Sequence, residues 1–189
     1  YSYGYSAIRD ESGGIGGVLV AVAENTSEVL GGRRDRLLLE LDERLASSGD
    51  GARIRERVRA ALSGGTADLP FVLVYEIEPD ATSAQLSFSF GLQAGSPAAP
   101  QLLIDDAHWP VFECSQDRRT LIRDNPPHLP VLPPWPEPSR QAVLLPLGES
   151  MVLVAGISPR LPMNEAYLYF LDRLTSRLRQ AAARGLMLG

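Results

Sequence analysis

Few residues of this chain have the type and spacing to do chemistry. Cys114 is the only cysteine among 189 residues. A single thiol makes neither an internal disulfide nor a cysteine-rich zinc site, so its expected role is that of a small packed side chain. His108 and His128 are types that bind haem iron or a metal, but no second ligand stands at a metal-site spacing from either. Both read as loop histidines. Gly13, Gly14, Gly16 and Gly17 suggest a phosphate cradle, yet the third glycine of G-x-G-x-x-G is missing and no helix pattern opens there. A hairpin turn fits better. Arg53, Arg55, Arg57 and Arg59 are spaced by two, which on a helix spreads them around the axis as a solvated face. No Ser/His/Asp arrangement stands out. The expectation is a chain that catalyses nothing by itself.

Composition narrows the class. The formal net charge of −5 argues against a general nucleic-acid binder. Apart from the two histidines every basic residue is arginine, which a GC-rich genome explains. No apolar run approaches bilayer length and no signal peptide opens the chain, so no membrane association is expected and the expected location is the cytoplasm. The length suits one ordinary domain plus an appendage. Because the chain opens on Tyr1, it reads as a fragment or a processed chain.

The elements follow from periodicity. Gln141–Pro159 holds two apolar runs, Ala142–Leu147 and Met151–Ile157, around Gly148-Glu149-Ser150. This predicts a β-hairpin, covered on both faces and central to a sheet. Tyr3–Val22 predicts a second hairpin with its turn at Asp10–Gly14. A helix follows, with Asn25 as N-cap and Glu28 three residues on. Its Leu30, Leu37, Leu38, Leu41 and Leu45 share one stripe and Leu39 points elsewhere. Gly31-Gly32 weakens it locally, by about 1 kcal/mol per glycine, and could mark a joint. A second helix carries Ile54, Val58, Ala61 and Leu62 on one face and stops at Gly64-Gly65.

Leu69–Glu78 and Ala84–Gly91 predict strands, the latter with Leu86, Phe88 and Phe90 on one face by strict alternation. Asp105–Cys114 predicts a short helix and Arg119–Arg123 a short strand. Asn125–Pro138, with seven prolines, predicts an ordered loop across the sheet. The last helix starts at Pro162-Met163-Asn164. Its stripe is Tyr167, Phe170, Leu171, Leu174, Leu178, Ala181 and Ala182; Leu168 and Tyr169 lie off it, and fraying is expected at Gly185.

Several stretches resemble GAF domains of bacterial hybrid sensor histidine kinases over residues 35–185. They are Asp68–Glu78 (DLPFVLVYEIE), His108–Cys114 (HWPVFEC), Trp135–Leu147 (WPEPSRQAVLLPL) and Leu153–Asn164 (LVAGISPRLPMN). Tyr5–Thr26 is similar to the last two strands of a PAS domain, with Glu24-Asn25-Thr26 where such domains carry Asp-x-Thr. The resemblance implies an α/β (α+β) fold: a GAF-like central antiparallel sheet of five to six strands, helices on one side, and an N-terminal PAS-type hairpin with a connector helix. It implies residues 1–26 as the PAS hairpin, 27–48 as the connector and 49–189 as the GAF domain.

It further implies a sensory and relay role in a two-component signalling protein. The homodimer would form through the Leu30–Leu45 and Tyr167–Leu178 helices. A small-molecule regulatory domain serving a phosphatase, a cyclase or a transcription factor is the alternative. GAF-type sulfoxide reduction needs several cysteines, and Cys114 lacks the neighbourhood of a bilin attachment site; the cyclic-nucleotide GAF motif is absent. No cofactor is specified. In GAF domains small ligands usually sit between the sheet and the insertion, which here would draw on Phe88, Phe90, Trp109, Phe112, Leu121 and Trp135.

Overall fold

The computed structural model describes residues 2–9, 11–23, 26–46 and 51–183. The chain forms two compact units, Tyr1–Arg36 and Leu37–Gly189. In the first, β1 (Ser2–Arg9) and β2 (Ile15–Ala23) make an antiparallel hairpin. Gly13 takes the left-handed conformation that its turn requires, and Arg9 donates to its carbonyl at 2.9 Å. The pairs Tyr5–Val20 and Ala7–Val18 share one face, and all four side chains are exposed. Helix α1 (Thr26–Leu45) runs unbroken through Gly31-Gly32. The expected cap, Asn25 with Glu28, lies outside what the structure describes.

The second unit is built on a six-stranded antiparallel sheet in the order β5-β4-β3-β8-β7-β6. Its strands are β3 (Val72–Ile77), β4 (Ala84–Phe90), β5 (Leu102–Leu103), β6 (Leu121–Asp124), β7 (Gln141–Pro146) and β8 (Met151–Gly156). The β7–β8 hairpin closes through the bond from Leu147 N–H to the Met151 carbonyl, 2.8 Å. Four consecutive residues of β7 and five of β8 are buried, so both strands are covered on both faces, as their unbroken apolar runs predict.

One face carries helices. Leu37, Leu38, Leu41 and Leu45 of α1, the predicted face of α2 (Gly51–Ser63) and the predicted stripe of α4 (Glu165–Ala181) pack on Val72, Val74, Val143, Leu145, Leu153 and Ala155. Asn164 caps α4 by accepting from Tyr167 N–H at 3.0 Å. The Tyr167 hydroxyl donates to the Asp68 carbonyl and accepts from Ser158 N–H. That one phenol ties the helix to the chain before β3 and after β8.

The opposite face is closed by the irregular segment. Helix α3 (Val111–Asp117) lies later than the predicted Asp105–Cys114. Pro110 is its N-cap, and the Asp106 carboxylate reaches over to accept from Phe112 and Glu113 N–H at 2.9 and 3.0 Å. The predicted strand at Arg119–Arg123 is β6, shifted by one or two residues.

Strand β4 departs from its expected alternation. Val74 pairs with Phe88 but Tyr75 pairs with Leu86, so Ser87 is an extra residue, a β-bulge. The Ser87 hydroxyl donates to the Val74 carbonyl at 3.2 Å. Leu86 therefore faces the irregular segment while Phe88 and Phe90 face the helices. The three do not share one side, because a one-residue slip reverses every later side chain.

Candidate functional site

Beneath the irregular segment, Phe71, Leu73 and Tyr75 of β3, Leu86 of β4, Leu144 of β7 and Val152 and Val154 of β8 meet Ala98, Ala99, Leu103, Trp109, Val111 and Cys114. Trp109 is fully buried. Its indole N–H donates to the Ala98 carbonyl at 3.2 Å, and its ring meets Phe71 at 6.0 Å between centroids. The Tyr75 hydroxyl donates to the Pro100 carbonyl at 2.9 Å, and burial pushes its ionisation well above the ordinary phenol range. The Cys114 thiol donates to the Arg119 carbonyl, and burial pushes its pKa up to about 12. It is a protonated packing residue, not a ready nucleophile.

The six residues expected to line one pocket do not converge. Phe88 and Phe90 lie on the helix face, Phe88 under the Arg59 guanidinium at 5.1 Å from its centroid. Trp109 sits in the core of the other face, with Phe112 and Leu121 at its margin. Trp135 binds elsewhere: its indole N–H donates to the Ala67 carbonyl at 3.1 Å, and Arg160 covers its ring at 5.0 Å. Arg160 is itself paired with Glu137 at 2.6 Å. This arrangement clamps the proline-rich segment to the turn after α2.

One open groove among the described residues lies at an end of the face closed by the irregular segment. This groove, of about 980 Å³, runs between the ends of β3 and β4, helix α3 and the β7–β8 turn. Among the predicted residues only Phe112 lines it. Glu76, Glu78 and Glu149 contribute carboxylates, Gln85, Gln101 and Gln116 amides, and Ser87, Ser115 and Ser150 hydroxyls; among the described residues no basic one lines it, and Arg118 reaches Glu149 at 3.9 Å. Glu78 accepts from Gln85 at 3.0 Å, and Ser115 donates to the Glu149 carbonyl at 3.1 Å. Such a lining suits a ligand rich in hydrogen-bond donors or positive charge. Sequence reasoning missed these residues because they come from strand ends and a turn. The one usable signal was the polar side of the strands, Glu76, Glu78 and Gln85. Among the described residues no group of three or more His, Cys, Asp or Glu side chains could hold a metal ion. No helix among them is long and apolar enough to cross a membrane.

No protein-family model and no curated protein matches the sequence. Solved structures do share the fold. The GAF domain of a phosphoenolpyruvate-protein phosphotransferase from Coxiella burnetii aligns with a TM-score of 0.58 at 14% identity, over 81% of this chain and 94% of that one. A phycoerythrobilin-bound GAF domain from a cyanobacterial phytochrome aligns at 0.54 and 15% identity, over 82% and 96%. Free methionine-R-sulfoxide reductase from Neisseria meningitidis, in complex with its substrate, aligns at 0.53 and 15%, over 87% and 95%. At these identities the likeness is one of fold, and the fold is GAF-like.

Proposed function

We propose that this chain is a sensory and signal-relay module of a cytoplasmic bacterial signalling protein, a sensor histidine kinase, and that the module itself is non-catalytic. In this reading residues 1–26 are the closing hairpin of a PAS domain, 27–48 a connector and 49–189 a GAF domain. The carrying observation is α1. This single helix, Thr26–Leu45, contributes residues to both compact units, so a change in one unit has a covalent route to the other. Relay then works by population shift, with a signal favouring one packing of paired helices over another.

The pairing surface in a homodimer is the outward side of the helices. The inward stripes of α1 and α4 are already buried in the chain's own core, whereas Leu39, Leu168 and Tyr169 are exposed. Light scattering of the purified chain tests this. A dimer that Leu39→Glu and Tyr169→Glu convert to monomer supports the relay, and a wild-type monomer at high concentration refutes it.

The polar groove favours a second reading, a small-molecule regulatory domain serving another output such as a phosphatase, a cyclase or a transcription factor. Other chains of this fold hold a bilin or a sulfoxide substrate. Native mass spectrometry with an absorbance spectrum of the freshly purified chain separates the readings. Added mass or colour favours the ligand-binding domain, and a bare polypeptide favours the relay.

A further inference from the structure

Three groups able to carry positive charge meet beside Trp109, each from a different segment. His108 comes from the turn before α3, Arg123 from β6 and His128 from the proline-rich segment. The His108 and His128 rings stack, with centroids 6.2 Å apart and planes 12° from parallel. The edge of His108 meets Trp109 at 5.3 Å. Arg123 Nη2 donates to the Ala107 carbonyl at 2.9 Å. Asn125 and His128 both take left-handed backbone conformations that non-glycine residues seldom adopt, with φ of 46° and 61°. Such conformations cluster where the chain holds a side chain in a required place.

Two nitrogens of this cluster are left over. His108 Nε2 and Arg123 Nε are buried and have no hydrogen-bond partner among the described residues. Buried polar atoms without partners are few in folded proteins and call for an explanation. The carboxylates that flank these residues in sequence have other partners. Asp105 accepts from Ala107 N–H, Asp106 from Phe112 and Glu113 N–H, and Asp124 from Gln141. The cluster thus gathers groups able to carry positive charge, and two of its buried nitrogens lack a partner among the described residues.

We propose that His108, Arg123 and His128 form a binding site for a small oxyanion of the phosphate type. The oxyanion accepts from Arg123 Nε and from the protonated Nε2 of His108, with the exposed His128 beside them. None of the three lines the polar groove, so this site stands independently of any ligand there. An occupied site pins the proline-rich segment, through His128, to the sheet, through Arg123 of β6.

Occupancy is linked to a proton. In the free protein His108 is held below its ordinary value by burial first, and then by the charges of His128 and Arg123, against the pull of the nearby Ala98 carbonyl. An oxyanion beside the ring favours the imidazolium, in which Nε2 is a donor. Among the described residues, His128 and Arg123 are the charged groups that act on His108. A bound oxyanion therefore raises the affinity of His108 for a proton.

The chain has only two histidines, so proton NMR follows both imidazoles without crowding. The probe is inorganic phosphate, titrated into the full chain against chloride at equal ionic strength. Phosphate is expected to raise the titration midpoint of His108. Arg123→Gln is expected to weaken binding by more than 10-fold. His128→Asn, at an exposed position that does not threaten folding, is expected to weaken it several-fold. Histidine titration curves that superimpose with and without phosphate would overturn the proposal. So would an Arg123→Gln or His128→Asn protein that remains folded and binds phosphate like the wild type.

Discussion

The two faces of the six-stranded sheet are closed by different means. On the helix face, three amphipathic helices lay down leucines at regular intervals, and each helix brings its own hydrogen bonds. On the other face a segment with one seven-residue helix and a run of prolines does the same task. There, carbonyls of the segment must be satisfied singly: Ala98 by Trp109, Pro100 by Tyr75, Arg119 by Cys114. The helix face is held by repetition and the other face by particular residues. A repeated contact can be lost from one turn and supported by the next, whereas a singular contact has no neighbour of its kind.

Four experiments would break or sharpen this contrast. The largest effect is expected at Trp109. Truncation to alanine removes a fully buried indole and leaves the Ala98 carbonyl short of a donor, so urea unfolding should show a loss of about 3–5 kcal/mol. A loss below about 1 kcal/mol would mean that the irregular segment is a loose cover. Gly156→Ala comes next. A β-carbon there would lie 2.3 Å from the ring of Phe71, which is fully buried and cannot retreat. We expect about 1–3 kcal/mol of destabilisation, partly recovered when Phe71→Leu is added.

On the helix face, Asn164→Ala removes the α4 cap and should cost about 1 kcal/mol, read from the same denaturation curves. The smallest effect at neutral pH concerns Cys114. Its thiol is raised from an ordinary 9.0 to about 12, first by burial. The folded state therefore holds this proton more tightly than the unfolded one. The contribution is complete below pH 9.0 and is lost as pH rises toward about 12. Cys114→Ala should flatten the alkaline limb of the stability profile, and the native thiol should resist alkylation at pH 8 until the chain is unfolded.

The same contrast explains what could be read in advance. The stripes of α1, α2 and α4 were legible because a 3.6-residue period is visible in the chain itself: Leu37, Leu41, Leu174 and Leu178 are buried where the period puts them. The β7–β8 hairpin was legible because a strand covered on both sides has nothing to alternate. The candidate pocket was not. Its proposed lining assumed that Leu86, Phe88 and Phe90 kept step, and the extra Ser87 breaks that step with nothing in a stretch of alternating serines to announce it. Nor could spacing bring His108 to His128 or Trp135 to Ala67, since these contacts depend on how an aperiodic segment folds back.

Ser87 also has a consequence for how this strand can vary among descendants of the sequence. The residues before it serve one core and those after it serve the other. Deleting that single serine would restore an uninterrupted ladder and in doing so exchange inside for outside along half the strand. Substitutions on either side of it are insulated from each other by the sheet. A change of length there is read by both cores at once, so this stretch should tolerate new letters far better than a missing one.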